Sequence, residues 1–318
     1  MCAAFGTGVL LNAPVSMAER NVARAKVEEM QLRAAWGRTL AARLVILLSV
    51  GWLVSGCALT LSYRHADWLI EWQADHYFDL TSGQHRDLRS RTAGLLLRHR
   101  TEALPEYAAF LGELKARLSK GLSPGDMEWA FAAYDRFRND LVERVLHDGS
   151  AFLTTVSEPQ IRHVEKVLFH EERKARESFD GSRDARASTR ADKALALARK
   201  WIGPLQAGQV AQLRASVRAL PDVEPIWLES RRQRRQAFIA LLREGARGQH
   251  LADRLRGIVN PSVEQSGSAR ARLDREWRAG VTAVILELDR LLTPLQRGRA
   301  LSSIQDVLDD IRTLTRDP

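Results

Sequence analysis

Leu292-Thr293-Pro294-Leu295-Gln296 is the way this chain begins a helix. Related chemistry stands at Leu80-Thr81-Ser82-Gly83-Gln84, Val156-Ser157-Glu158-Pro159-Gln160 and Ile202-Gly203-Pro204-Leu205-Gln206. Each stretch offers a glutamine at the third helical position. In a capping box the Thr or Ser oxygen accepts from that residue's backbone amide and the Gln side chain returns to the cap amide, while the preceding apolar residue staples the turn. Pro204 and Pro294 at a first helical position forfeit no helical hydrogen bond.

Outward from these starts, everything after Cys57 reads as helix. Apolar residues recur with a 3.6-residue period, and Leu, Ala, Arg and Glu outnumber alternating β-branched runs. Helices are expected over 65–79, 81–99, 104–119, 124–147, 158–179, 188–201, 204–219, 222–246, 249–258, 268–291 and 294–315. The fold class is therefore all-α, a multi-helix bundle or helical array spanning 65–318. Flexible points are expected near 180–190, rich in Gly, Ser and charge, and near 260–268, which holds Pro261 and Gly267.

The N-terminal region has a different logic. Leu44 to Val54 is an apolar run preceded by Arg33, Arg38 and Arg43 and closed by Val54-Ser55-Gly56-Cys57. It is well short of the roughly 20 residues a membrane-spanning helix needs, but suits a signal-peptide core followed by a small-residue cleavage site. Residues 30–56 read as a signal peptide, with translation expected to start at Met30 and residues 1–29 to be a misplaced start or an extension. Residues 57–64 then form a short tether. The lipobox resembles the processing signal of bacterial lipoproteins. That resemblance implies a diacylglycerol on the Cys57 sulfur, an acyl chain such as palmitate on its amine, and no other cofactor. Ala58 follows Cys57 where an Asp would favour inner-membrane retention, so the implied location is the inner leaflet of the outer membrane, facing the periplasm.

The glutamine-bearing helix starts resemble the LTxxQ motif of small helical periplasmic stress proteins, among them the chaperone spheroplast protein Y. Thr81/Gln84 and Thr293/Gln296 match it, Ser157/Gln160 is conservative, and Gly203 departs at the cap. The resemblance implies a helical envelope protein without catalysis. A broader likeness rests on Asp67-Trp68-Leu69-Ile70-Glu71-Trp72-Gln73-Ala74-Asp75-His76-Tyr77-Phe78-Asp79-Leu80, Leu104-Pro105-Glu106-Tyr107 and Ile226-Trp227-Leu228-Glu229-Ser230-Arg231-Arg232-Gln233-Arg234-Arg235-Gln236. With the lipobox, these resemble an uncharacterised family of proteobacterial lipoproteins containing a domain of unknown function.

The net charge of +9 falls to about +6 once residues 1–56, with six Lys or Arg and three Asp or Glu, are removed. This mild excess suits an anionic surface or simple solubility, and no nucleic-acid partner is expected. The other cysteine, Cys2, lies in the removed part, so the mature domain holds no internal disulfide.

On the first helix Trp68, Trp72, Asp75 and Asp79 share a face. On the helix from about 222, Arg231 and Arg234 share the apolar face of Trp227, Phe238 and Leu242, with Arg232 and Arg235 pointing farther out. Arginine in an apolar stripe calls for a carboxylate, so Asp75 and Asp79 are expected to meet Arg231 and Arg234, as a register-fixing cluster or a binding cleft. His163 and His170 stand two turns apart, about 10.5 Å, too far to grip one ion unaided; a solvated face is the expectation and no metal is assigned. Nucleophile elbows, phosphate loops and HExxH motifs are lacking in the sequence. The function expected is a lipid-anchored, non-catalytic interaction or chaperone-like protein with a protein partner or client. The alternatives are an envelope hydrolase or lyase using Asp75 or Asp79, or a metal sensor using His163 and His170.

Overall fold

The computed structural model describes residue 60 and residues 63–179, 181–260 and 268–316. The expected signal peptide and Cys57 lie outside them. Every element among the described residues is helical: α1 (Ala66–Phe78), α2 (Ser82–Arg98), α3 (Leu104–Lys120), α4 (Pro124–Leu153), α5 (Glu158–Phe179), α6 (Arg183–Ile202), α7 (Ala207–Arg218), α8 (Glu224–Arg243), α9 (Gly248–Val259), α10 (Ser268–Leu291) and α11 (Pro294–Arg316). The chain is an all-α array.

Several boundaries differ from the periodicity, among them the end of α4, which runs on to Leu153 where 147 was expected. α2 runs into α3 without a break, through a π turn at His99–Ala103. Pro105 explains the wider turn, because its ring presses on the carbonyl four residues back and it has no amide to give. α6 starts at Arg183 inside the expected flexible stretch, where Ser182 accepts from the Ala185 amide at 3.2 Å. Finally, α7 begins three residues late. Gly203, at φ +80°, ends α6, so Gln206 becomes the cap and Gln209 the third helical residue.

That shift completes a pattern of two glutamine clasps. Gln160 Nε2 donates to Gln84 Oε1 at 2.7 Å and Gln84 Nε2 to Gln160 Oε1 at 3.2 Å. Each oxygen also accepts from its own cap amide, Thr81 or Ser157, at 3.0 Å. Each amide reaches the carbonyl two residues before the other cap, Thr155 for Gln84 and Asp79 for Gln160, both at 3.1 Å. Gln209 and Gln296 repeat the arrangement, with mutual bonds of 2.8 and 2.9 Å, cap amides Gln206 and Thr293, and carbonyls Leu291 and Pro204. All four glutamines are buried.

Around each clasp the packing is the same. α1 lies on α2 and α5 as α6 lies on α7 and α11, and α2 meets α4 as α7 meets α10. The halves then exchange helices, α3 packing on α11 and α8 on α5. Leu104 and Leu111 of α3 bury against Ile304, Val307, Leu308 and Ile311 of α11, while Ile161 and Val164 of α5 bury against Ile239 and Leu242 of α8. This exchange packs helices of one half against helices of the other. Two residues of the expected tether also join it. Thr60 Oγ1 donates to Asp310 of α11 at 3.4 Å, and Tyr63 donates to the Leu96 carbonyl at 3.1 Å while packing beside the α3–α11 core.

Candidate functional site

The carboxylates of α1 are answered from α2. Glu71 accepts from Arg89 twice, at 2.7 Å, and lies 2.7 Å from His85 Nδ1. The Arg89 hydrogen bonds hold its carboxyl down at about 2. Asp75 Oδ1 accepts from the Leu80 amide at 3.0 Å and sits 3.4 Å from His85 Nε2. Asp79 ends α1 in the left-handed region at φ 49°, a conformation that Asp tolerates better than most residues.

A carboxyl depressed in the fold contributes stability above its unfolded value near 4.5 and loses that contribution as pH falls toward about 2. Comparing the pH dependence of the melting temperature for the native chain and Glu71→Gln checks this. The two curves are expected to be separated above pH 5 and to converge toward pH 2.

α8 lies against α5, so Arg231, expected to meet Asp75 and Asp79, meets a carboxylate of α5. Arg231 is 3.8 Å from Glu171, and Arg235 bonds Glu172 and donates to the Leu168 carbonyl at 2.6 Å. Arg235, expected to point outward, is mostly buried, whereas Arg234 is half-buried on the same helix. α1 reaches this group by another residue: Tyr77 donates to Glu171 at 2.6 Å. The first helix and α8 are thus linked through a carboxylate of α5.

The other candidates separate. His163 Nε2 lies 3.2 Å from the His76 carbonyl and His170 Nδ1 lies 3.3 Å from Arg173, so the two imidazoles serve different neighbours. Among the described residues no three His, Cys, Asp or Glu side chains converge on a metal position. Trp68 and Trp72 are exposed and stacked at 6.4 Å, while Trp227 packs edge-on against Trp277 at 5.4 Å, so the three tryptophans do not line one cleft.

The sequence reading missed an open groove between α3 and α4. It has a volume of about 910 Å³ and is lined by Glu106, Ala109, Phe110 and Glu113 of α3 and Trp129, Ala132, Ala133, Arg136 and Asp140 of α4. Phe110 and Trp129 stack at 4.7 Å, and the Arg117 guanidinium lies 4.4 Å from the Trp129 ring. Glu106, Phe110 and Glu113 recur at one helical face, as do Trp129, Ala133, Arg136 and Asp140, and the alanines leave the space. That spacing was the available signal. Glu113 pairs with Arg117 at 2.9 Å, which leaves Glu106 and Asp140 against Arg136 beside the aromatic stack, a lining that suits a cationic group with an apolar stem.

Residues 76–263 match the model of a family of unknown function, DUF6279, across more than half of the chain. The chain belongs to this family. The DUF6279 span takes in α2 to α9, hence the whole groove, the Gln84/Gln160 clasp and Gln209, whereas Gln296 and α11 lie beyond it. No curated protein and no solved structure matches the chain. No helix among the described residues is long and apolar enough to cross a membrane.

Proposed function

We propose that this DUF6279 chain is a lipid-anchored, non-catalytic binding protein of the cell envelope. It is held by Cys57 at the inner leaflet of the outer membrane, facing the periplasm, and takes a basic segment of a polypeptide partner or client into the α3–α4 groove. The observation that carries this reading is the Phe110–Trp129 stack within a lining that includes Glu106 and Asp140. Carboxylates beside an apolar wall attract the heads of Lys or Arg side chains while the wall receives their methylene stems. The LTxxQ-like helix starts add a resemblance to periplasmic chaperones. Hydrolysis or elimination by Asp75 or Asp79 is the weaker reading, since Asp75 accepts from the Leu80 amide and lies beside His85.

Fluorescence anisotropy of a labelled Lys- and Arg-rich peptide, titrated with the lipidated protein in detergent micelles, tests the proposal. Trp129→Ala and the pair Glu106→Gln/Asp140→Asn are each expected to weaken binding by about tenfold, equivalent to about 1.4 kcal/mol. Added salt should weaken the native complex. Equal affinity in all three proteins, each with native helical content, would remove the groove from the function.

A further inference from the structure

We infer that the exposed face of α1 bearing Trp68, Trp72 and His76 lies on the lipid bilayer interface. The inference rests on the lipid-anchor reading of Cys57 and adds an orientation to it. Trp68 is 59% and Trp72 47% exposed, and Leu69 beside them is exposed too. The rings form a ladder, Trp68 to Trp72 at 6.4 Å and Trp72 to His76 at 6.3 Å, along one edge of the helix. An exposed aromatic edge of this kind marks a place that something covers. Tryptophan with an apolar body and a wet N–H suits the headgroup layer.

What covers it follows from where the chain before α1 goes. Cys57 is three residues from Thr60, at most about 11 Å of extended chain. Thr60 is bonded to Asp310 of α11, and Tyr63 is packed on the body three residues before α1 begins. A lipid on Cys57 therefore brings the start of α1 to the membrane surface. From Trp68 to His76 the ladder spans about 12 Å of helix rise, so all three rings share one depth only when α1 lies parallel to the bilayer. Asp67 and Asp75 on the same helix make a zwitterionic headgroup layer a better match than an anionic one. Acyl chains on one residue hold a domain without orienting it; the aromatic face supplies the orientation.

The test uses lipidated protein reconstituted into phosphatidylcholine vesicles with and without brominated acyl chains, with the lipid on Cys57 first verified by mass spectrometry. Emission from Trp68 and Trp72 is taken as the difference between the native protein and Trp68→Phe/Trp72→Phe. Both substitutions lie at exposed positions, and circular dichroism checks that the variant is folded. The difference emission is expected to lose most of its intensity in brominated vesicles and to be blue-shifted in plain ones. Unquenched difference emission from protein with a verified lipid overturns the inference and assigns the face to a protein partner or a second copy. A Cys57 without lipid overturns the anchor reading, and the orientation with it.

Discussion

Arg190→Met is expected to destabilise the fold by about 3–5 kcal/mol, the range for breaking a buried ion pair from one side. Arg190 of α6 bonds both oxygens of Glu224 at 2.9 and 3.0 Å and also donates to the Leu220 carbonyl at 3.1 Å. The two side chains are only 9% and 4% exposed, and Arg190 lies 5.4 Å from the Trp277 ring. Without the arginine, Glu224 keeps the burial that already pushes its carboxyl upward and loses the charge that offsets it. A carboxyl raised in the fold contributes stability below its unfolded value and loses it as pH rises through the folded one. The deficit of Arg190→Met should therefore be largest at pH 7 and shrink toward pH 4.5. Urea unfolding at both pH values measures it. The double variant Arg190→Met/Glu224→Leu should recover much of the loss, because no charge is then left buried. A loss below about 1 kcal/mol in the single variant would show that the pair is solvated.

The glutamine clasps carry the second large effect. Gln160→Leu leaves the Asp79 carbonyl and the Ser157 amide without their side-chain partner, and Gln296→Leu does the same to the Pro204 carbonyl and the Thr293 amide. At about 1–3 kcal/mol for each orphaned group, both variants should lose several kcal/mol, and by similar amounts because the two clasps are built alike. Gln84→Leu/Gln160→Leu should cost less than the sum of its single variants, since the first substitution already removes the mutual bonds. Chemical denaturation of the four proteins gives the cycle. Additivity within about 0.5 kcal/mol would mean that the boxes cap their own helices independently.

The helices were legible because their starts carry explicit chemistry. Thr81, Ser157 and Thr293, each with a glutamine three residues on, all stand at helix beginnings in the structure. The remaining start, read with Gly203 at the cap and Gln206 at the third helical position, moves three residues on, to Gln206 and Gln209. The need of α6 for a Gly203 end decides it. Periodicity placed Arg231 on an inward face but could not say which helix it meets, because facing is a property of two elements; Glu171 on α5 was as plausible a partner by charge as Asp75. The groove was hidden for the same reason. Its space comes from Ala109, Ala132 and Ala133 on two helices, and small residues within one helix give no sign of an opening.

Anchor, groove and aromatic face form one account only if the chain reaches the envelope as a lipidated protein starting at Cys57. Intact-mass and N-terminal peptide analysis of the protein extracted from membranes tests this most directly. The account predicts a chain beginning at Cys57 that carries a diacylglycerol and an acyl group, with Cys57→Ala blocking processing and leaving residues 30–56 attached. A membrane-extracted native chain that retains those residues, or an unmodified Cys57, would contradict it.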